Sequence, residues 1–366
     1  MKNIFFIGWH NGTNIFNGPV NIFNNLTEGI SKNSESCSIQ IISPETFKGD
    51  SKRAINYIFK NIIRGRDKIF VINGNGLKFP MITLILSKLN RKHKYFLMSH
   101  GLRKIEDKYA KIENKNYHKA EGILIKNFDN IIAVSSLLKK QILNTYGRKK
   151  PIYVAHSGFD AKTISHEPKE LKDDKIKIIL SGGLKKIKGV FETEEIINYI
   201  NTQNKPYKVF IDIYGGYDEE ETLEYFKSLK INKEASYINY KGTLSKEKLM
   251  EAYKNYDLSI ALSHSDTFNM AVLEGFCFGL PAIVSTNCGI SEIMEDYKQG
   301  LVMDMSHNYR DKILEFMDKI YADRKLYKKM SEEALKLGKE QNVERMVSNY
   351  LEVILDNAQF TMHSSQ

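Results

Sequence analysis

Residues 263–295 read SHSDTFNMAVLEGFCFGLPAIVSTNCGISEIME and are the most informative stretch of the chain. The preceding Asp257–Leu262 (DLSIAL) has the apolar run of a short buried strand, so Asp266 follows a strand end. From Met270 onward the apolar spacing predicts a helix that stops before Pro281, and apolar residues after the proline predict another strand. The predicted order is strand, polar loop, helix and strand.

The start of the predicted helix favours binding of an anionic group. Asn269, Met270 and Ala271 lie where free backbone N–H groups meet the positive end of the helix dipole, which suits a phosphate. Glu274 follows one turn later, where it can reach a sugar hydroxyl. Two acids such as Asp266 and Glu274 are by themselves often simple helix-capping residues. The complete pattern predicts a nucleotide-sugar pocket.

The stretch resembles the donor-site motif of retaining GT-B glycosyltransferases, in particular glycosyltransferase family 4. In that pattern two glutamates eight positions apart precede a Gly-Leu-Pro strand and a Gly-x-x-Glu turn. Asp266 stands at the first glutamate, one methylene shorter, and Glu274 stands at the second. Gly279-Leu280-Pro281 and Gly289-Ile290-Ser291-Glu292 match the rest.

The resemblance implies roles for individual residues. The donor sugar and phosphate are expected to bind to Asp266, to Phe268 and to the backbone of Asn269, Met270 and Ala271. Glu274 accepts hydrogen bonds from the ribose hydroxyls. No residue is a convincing covalent nucleophile. For retention, the resemblance to the family implies front-face attack, in which the leaving phosphate takes the proton of the acceptor.

A second loop, Ser181–Val190 (SGGLKKIKGV), follows the predicted strand Lys175–Leu180. It resembles the G-R-L-x-x-x-K-G loop of the family, whose Arg and Lys grip the diphosphate. Gly182 and Lys188 match that loop, whereas Gly183 stands where the family has the Arg. An enzyme without a dedicated metal needs cations and helix N-termini for the leaving diphosphate. Either Lys185 or Lys186 is a candidate to replace the missing charge.

Two positions in the first half also resemble family sites. Gly18, in Asn17-Gly18-Pro19, corresponds to the glycine turn near the donor phosphates and acceptor, although such turns also occur as ordinary helix starts. His100 directly follows the predicted strand Tyr95–Ser99 and resembles the active-site histidine that positions the donor sugar. The predicted catalytic residues are therefore His100, Lys188 and Asp266.

The predicted fold is α/β of the GT-B type, with two Rossmann-like domains facing a cleft and a C-terminal helix that crosses back to the N-terminal domain. The predicted divisions are an acceptor domain (1–160), a linker (161–174), a donor domain (175–340), a C-terminal helix (341–358) and a disordered tail (359–366). Alternating patterns predict twelve strands, at 3–7, 38–42, 68–72, 95–99, 130–134, 151–154, 175–180, 208–214, 237–241, 258–262, 282–285 and 301–303. They also predict helices at 19–30, 53–63, 79–89, 104–119, 136–146 and 343–355.

The composition is consistent with this class. The 366 residues suit two domains, and no run of 18 uncharged apolar residues predicts a membrane span. The three cysteines lack metal-binding spacing and favour a reducing compartment. The N-terminus reads as a first strand, not a signal peptide. We therefore expect a cytoplasmic protein with no metal and no cofactor beyond its nucleotide-sugar co-substrate, a UDP sugar in particular.

The positive charge is concentrated in the first half. Residues 1–170 carry 28 Lys+Arg against 13 Asp+Glu, whereas the whole chain has a net charge of +10. Within this half, Lys52–Lys68 (KRAINYIFKNIIRGRDK) has apolar residues at helical spacing with basic residues between them. Such a helix either binds an anionic membrane surface peripherally or packs on the core with a solvated basic face. No nucleic-acid motif accompanies the charge.

The expected activity is hexosyl transfer to a membrane-associated glycolipid or glycan intermediate, as in polysaccharide or lipopolysaccharide biosynthesis. Two alternatives remain open. The first is a catalytically silent GT-B subunit that binds a nucleotide sugar in a synthase complex, which the changes at Gly183 and Asp266 favour. The second is a GT-B enzyme with a soluble acceptor.

Overall fold

The computed structural model describes residues 2–8, 18–33, 37–43, 45–74, 76–160, 167–232 and 234–356. They form two compact units. The first comprises Met1–Lys104, Glu113–Gly158 and Val343–Gln366, and the second comprises Ile105–Ile112 and Phe159–Asn342. Residues 161–166 of the predicted linker, the predicted tail and Asn17 lie outside the described residues.

Each unit contains one six-stranded sheet. The strands are β1 (Lys2–Ile7), β2 (Cys37–Ile42), β3 (Ile69–Asn73), β4 (Lys94–Ser99), β5 (Asn130–Ala133), β6 (Ile152–Val154), β7 (Lys175–Leu180), β8 (Lys208–Tyr214), β9 (Tyr237–Gly242), β10 (Leu258–Ala261), β11 (Ala282–Ser285) and β12 (Gly300–Met303). Each of the twelve predicted strands is present, with bounds within one residue of the prediction.

The helices are α1 (Gly18–Asn33), α2 (Ser51–Ile63), α3 (Lys78–Ser87), α4 (Arg103–Tyr109), α5 (Lys115–Asn127), α6 (Ser136–Tyr146), α7 (Val190–Thr202), α8 (Glu220–Ser228), α9 (Lys246–Tyr253), α10 (Met270–Cys277), α11 (Tyr309–Ala322), α12 (Arg324–Glu340) and α13 (Val343–Asp356). Among the described residues, no helix has the length and apolarity that crossing a bilayer requires.

Both sheets are parallel throughout. The strand order is β2-β1-β3-β4-β5-β6 in the first unit and β12-β11-β10-β7-β8-β9 in the second. The central strands β3, β10 and β11 are buried along their whole length, as expected for a parallel sheet covered by helices on both faces. This architecture confirms the predicted pair of Rossmann-like domains.

The strand order reverses once in each unit. In the second unit the chain runs outward from β7 to β9, returns to β10 beside β7, and then continues in the other direction to β12. Loops that leave the carboxyl ends of β7 and β10 therefore lie side by side, which is where open α/β sheets form ligand sites. The corresponding reversal in the first unit lies between β1 and β3.

The last helix, α13, returns to the first unit and packs on α1, which confirms the predicted crossing. Gly29 of α1 allows a close approach, because a Cβ there would meet Val347 Cγ2 at 2.6 Å. Met346 and Tyr350 are fully buried, and the Gly158 N–H lies 3.3 Å from Met346 Sδ. At the far end, Lys2 Nζ donates to the Leu355 carbonyl at 3.4 Å.

The single helix predicted over 104–119 is wrong, because the structure has two helices there. The left-handed backbone of Lys111 (φ 53°) interrupts the helical path, and the Asn114 side chain starts α5 by accepting the Tyr117 N–H. Ile105–Ile112 clusters with the second unit, although it lies within the sequence of the first. The division of the sequence at residue 160 did not anticipate this exchange.

Candidate active site

Two loops meet at the strand reversal of the second unit. The loop after β7 contains Gly189, whose φ is +72° and whose Cβ would lie 2.0 Å from the carbonyl oxygen of Leu262, after β10. Only glycine tolerates both that backbone and that contact. The His264 N–H donates to the Ile187 carbonyl at 2.9 Å and joins the loops again. The two motifs found in the sequence are thus held together by main-chain contacts.

This junction brings Lys188 and Asp266 into direct contact. Lys188 Nζ donates to Asp266 Oδ2 at 2.5 Å, and both side chains are mostly buried. Burial by itself lowers the pKa of Lys188, but the Asp266 carboxylate more than offsets that effect, with Glu106 adding to it, so the net pKa is raised. Lys188 is therefore a firmly charged cation at neutral pH.

The backbone of Asp266 is fixed by the next loop of the sheet. Its N–H donates to the Asn287 carbonyl at 2.9 Å, and its own carbonyl accepts the Gly289 N–H at 2.8 Å. Two residues on, the Phe268 carbonyl accepts the Ile290 N–H at 2.7 Å. The Phe268 side chain is only 3% exposed, so it packs in the core and offers a ligand no more than its backbone.

Asn269 starts α10 from an unusual backbone conformation. Its φ is +73°, and its Oδ1 accepts the Val272 N–H at 3.1 Å as a helix cap. Asparagine tolerates this left-handed region better than most residues do. Met270 and Ala271 then form the first helical positions, as the sequence predicts. The helix start lies directly after the loop that holds Asp266.

Glu274 lies on the second turn of α10 and is partly buried. Burial raises the pKa of Glu274 to about 7, and Lys246 and the Tyr253 hydroxyl moderate the increase. A carboxylate with such a pKa is poised to change its charge near neutral pH. Unlike Asp266, Glu274 has no cation within ion-pair distance among the described residues.

The glycine that replaces the family arginine leaves no room for a side chain. Gly183 has φ +78°, and a Cβ there would lie 2.1 Å from the carbonyl oxygen of Gly216. Its N–H also donates to the Tyr214 carbonyl at 2.9 Å, which holds the loop in this position. Gly182 is less restricted, since its Cβ would meet Lys188 Cγ at 3.5 Å. The backbone conformation of this loop therefore excludes an arginine side chain at position 183, and the positive charge of the family arginine is absent for that reason.

The two neighbouring lysines are already engaged. Lys185 Nζ lies 3.5 Å from Asp218 Oδ1, and Lys186 Nζ donates to Glu219 Oε2. The lysine side chains are 37% and 38% exposed, so these pairs are weak and can exchange partners. In this structure neither lysine supplies an unpaired charge in place of the arginine, and that role for Lys185 or Lys186 stays a prediction.

Sequence reasoning missed several polar contacts around the two loops. His264 Nε2 lies 2.7 Å from Glu192 Oε1, and the His264 ring stacks on Tyr109 at 5.6 Å between centroids. The Tyr253 hydroxyl lies 2.6 Å from Ser181 Oγ. Only His264 carried a usable signal, its place two residues before Asp266. Ser181 begins the loop already identified, whereas Tyr109, Glu192 and Tyr253 lie outside both motifs.

His100 and Gly18 lie in the first unit. His100 follows β4, and its Nε2 donates to Asn73 Oδ1, at the end of β3, at 2.9 Å. Burial lowers the pKa of His100 to about 4, so the imidazole is neutral at neutral pH. Asn73 Nδ2 also donates to the Pro19 carbonyl at 3.5 Å, and Gly18 is the exposed first residue of α1. Asn73, which no sequence motif indicated, thus contacts His100 and the residue that follows Gly18.

The structure therefore distributes the predicted site residues between its two units. The first unit holds His100 and Gly18 near its own strand reversal. The second unit brings together the rest on two loops and one helix, namely Gly182, Lys188, Asp266, Phe268, Asn269, Met270, Ala271 and Glu274. This second set contains Lys188, whose pKa is raised, and Glu274, whose pKa is about 7.

Known sequences are similar to much of this chain. Residues 161–337 match the family described as glycosyl transferases group 1. A protein of Methanocaldococcus jannaschii, named as an uncharacterised glycosyltransferase, is 28% identical over 285 residues, covering 75% of this chain and 71% of its own length.

Comparison with solved structures shows similarity of fold. Anabaena HepE in complex with UDP-glucose has a TM-score of 0.68 at 13% identity, covering 97% of this chain and 100% of HepE. Sucrose-phosphate synthase from Thermosynechococcus elongatus has a TM-score of 0.71 at 12% identity, covering 99% of this chain and 100% of the synthase.

Proposed function

We propose that this chain, whose residues 161–337 match the family described as glycosyl transferases group 1, is a glycosyltransferase that transfers a hexose with retention from a nucleotide diphosphate sugar, without a metal ion. The observation that carries this proposal is the Lys188–Asp266 contact of 2.5 Å at the strand reversal, with Glu274 on the adjoining helix. Cation, carboxylates and helix start form one site within the second unit.

Each group in the site has a task in this reaction. Glu274, when ionised, accepts hydrogen bonds from the ribose hydroxyls of the donor. The N–H groups at the start of α10 bind a phosphate, and Asp266 binds the donor sugar. Lys188 stabilises the negative charge that grows on the diphosphate as the sugar leaves. The role of His100, in the first unit, stays a prediction; its imidazole is neutral at neutral pH and can form hydrogen bonds without carrying a positive charge.

The retaining step then needs no covalent enzyme intermediate. The bond between the anomeric carbon and the diphosphate oxygen breaks, and the acceptor oxygen bonds to the same face of that carbon. The acceptor proton passes to the departing diphosphate. The protein contributes position and electrostatic stabilisation, which suits a site built from a lysine, a helix start and acids that bind hydroxyls.

UDP is the favoured nucleotide. The fold neighbour from Anabaena was solved with UDP-glucose, with UDP and with UDP and glucose, which supports this choice. A thermal-shift panel of UDP, GDP, ADP and dTDP sugars tests it, because a ligand at 100 times its dissociation constant adds about 2.7 kcal/mol of stability. Stabilisation by another nucleotide alone would rule out UDP.

The favoured acceptor is a membrane-associated glycolipid or glycan intermediate. Support comes from α2, whose inner face buries Ala54, Ile58 and Ile62, while Phe59 and Ile63 remain 40% and 43% exposed among basic residues. The neighbouring α3 packs on α2 and is followed by Leu89, which is 63% exposed. Apolar side chains with lysines and arginines around them suit peripheral binding at an anionic membrane surface.

The decisive experiment is a turnover assay with UDP-glucose and lipid extracts as acceptor, with and without EDTA, followed by NMR of the product. The proposal expects product formation that EDTA leaves unchanged, with the anomeric configuration of the donor preserved. Inversion at the anomeric carbon would contradict the retaining mechanism, and loss of activity with EDTA would contradict metal independence. Equal activity with water-soluble sugars would favour the soluble-acceptor alternative.

A second candidate function has its own support. Gly183 leaves no room for an arginine, and Lys185 and Lys186 are paired with acids. A silent subunit that binds a nucleotide sugar without turning it over is consistent with that loss of charge. Tight donor binding without turnover, under conditions in which acceptor is present in excess, would identify this alternative.

A further inference from the structure

One buried hydroxyl contacts both the Ser181 loop and α10, and it lies outside the family motif. Tyr253 is the last residue of α9 and is 0% exposed. Its hydroxyl lies 2.6 Å from Ser181 Oγ, 3.1 Å from the Ala271 carbonyl oxygen and 3.4 Å from Glu274 Oε2. It therefore connects the loop after β7 with the first and second turns of α10.

We propose, on the basis of the donor site proposed above, that Tyr253 is a positioning residue that holds the Glu274 carboxylate and the first turn of α10 in place for the donor ribose. A phenolic hydroxyl donates one hydrogen and can accept another. If Ser181 donates to Tyr253, the tyrosine hydrogen is shared between the Ala271 carbonyl and Glu274. One side chain thus fixes the position of the first turn of α10 and the orientation of the Glu274 carboxylate.

The electrostatic surroundings of Glu274 give this contact a measurable signature. The groups that act on its charge are the Lys246 ammonium and the Tyr253 hydroxyl, both from α9. On the same helix as Glu274, burial and, to a smaller extent, the Glu274 charge raise the pKa of Cys277. The hydrogen bond from Tyr253 favours the ionised carboxylate, as does Lys246. Removing the hydroxyl should therefore move the titration of Glu274 further above pH 7.

The direction of the pH effect follows from the chemistry of the ribose. An ionised carboxylate accepts hydrogen bonds from both ribose hydroxyls, whereas the protonated form loses part of that capacity. Donor affinity should consequently rise as the pH increases through about 7 in the wild-type protein. In a variant without the hydroxyl, the same rise should occur at higher pH.

Tyr253→Phe removes only the oxygen. The ring stacks on Phe278 at 5.4 Å between centroids, and phenylalanine preserves that packing. We expect the dissociation constant for UDP to rise about tenfold at pH 7, the scale of a lost hydrogen bond to a charged group. We expect kcat to change less than KM, because the ribose is bound equally in the ground and transition states.

Tyr256→Phe is a matched control three residues along the chain. Tyr256 is also buried, and its hydroxyl donates to Asp212 Oδ2 at 2.7 Å and lies 2.9 Å from the Tyr214 hydroxyl. This variant loses a comparable buried hydrogen bond and should lose comparable stability. Its affinity for UDP and the pH midpoint of binding should equal those of the wild type.

Calorimetric titration of UDP between pH 5.5 and 9 separates the outcomes, with GDP, ADP and dTDP as further probes. A higher pH midpoint and weaker binding in Tyr253→Phe alone support the positioning role. Unchanged affinity and midpoint in Tyr253→Phe, or equal changes in both variants, overturn it and leave the donor site standing. If the wild type binds none of the four nucleotides, the donor site itself fails, and the role of Tyr253 fails with it.

Discussion

The loops after β7 and β10, here called the donor loops, and the exposed surface of α2 and α3 use their charges in opposite ways. In the loops, Lys188 and Asp266 turn inward and pair at 2.5 Å, and main-chain hydrogen bonds fix the backbone around them. On α2, by contrast, Arg53 is 76% exposed and pairs only loosely with Asp50 at 3.3 Å. Chemistry that needs fixed geometry leaves a motif in the sequence. A surface that needs only charge and apolarity leaves a looser pattern, and that of Lys52–Lys68 permits two interpretations.

The largest effect should come from the cation of the donor loops. Lys188→Ala should reduce kcat by about 10²–10³-fold, because Lys188 faces charge that develops in the transition state. Donor affinity should fall less than kcat. Steady-state kinetics with the preferred nucleotide sugar measures both quantities.

Lys185→Ala and Lys186→Ala are the matched controls, since each lysine is paired with an acid and partly exposed. Each should cost well under tenfold. A cost from either that equals the cost of Lys188→Ala would assign it the role of the missing arginine. Small and equal effects from all three lysines would favour the silent subunit.

The next effect tests whether the loop conformation excludes the family arginine. Gly183→Ala should reduce the free energy of unfolding by about 3 kcal/mol, since it combines an unfavourable φ with a 2.1 Å contact to a carbonyl oxygen. Gly216→Ala is the control, because a Cβ there meets no heavy atom within 4 Å. Chemical denaturation compares the two variants. A stable, active Gly183→Arg protein would show that the loop can move.

Glu274→Gln should weaken binding of the nucleotide sugar by roughly 1.5–3 kcal/mol, the scale of a lost charged hydrogen bond. Isothermal titration above pH 8, where wild-type Glu274 is ionised, gives the comparison. Equal affinity in a folded variant would remove Glu274 from the donor site.

The same substitution should have the opposite effect on the stability of the ligand-free protein. The pKa of Glu274 in the folded state, about 7, lies above its unfolded value, so its contribution to stability is present at low pH. That contribution is lost as the pH rises from about 4.5 through 7. Glu274→Gln should therefore be more stable than wild type at pH 8, and the difference should disappear near pH 4.5. Thermal denaturation across this range tests the sign.

The smallest effect on the donor site should come from the first unit. Changing Arg53, Lys60 and Arg64 together to Glu should abolish co-sedimentation with anionic liposomes, since each basic residue near the surface contributes roughly 1 kcal/mol. Nucleotide-sugar binding should remain unchanged. Wild-type protein should be released by high salt, because the Debye length shrinks to about 3 Å at 1 M. If the wild-type protein does not co-sediment with anionic liposomes at low salt, the basic face of α2 is only a solvated surface and the membrane proposal is wrong.

Local patterns predicted the twelve strands and most helices of the first unit, but they missed one interruption. The twelve strands follow from short apolar runs, and the start of α10 follows from the residues around Asn269. The prediction of one helix over 104–119 was wrong because the interruption between α4 and α5 depends on the left-handed conformation of Lys111, and a lysine gives no turn signal in the sequence. Periodicity describes which face of a helix is apolar, and it carries little information about a single residue that changes the backbone direction.

The sequence by itself determined the class of fold, the two donor motifs and the identity of Lys188, Asp266 and Glu274 as their charged residues. These depend on spacing along one loop or one helix, which is written directly in the chain. Only the tertiary structure decided that Gly183 has no room for a side chain and that the hydroxyl of Tyr253 reaches Glu274. Contacts between segments distant in sequence depend on how strands are ordered in the sheet, and no local pattern encodes them.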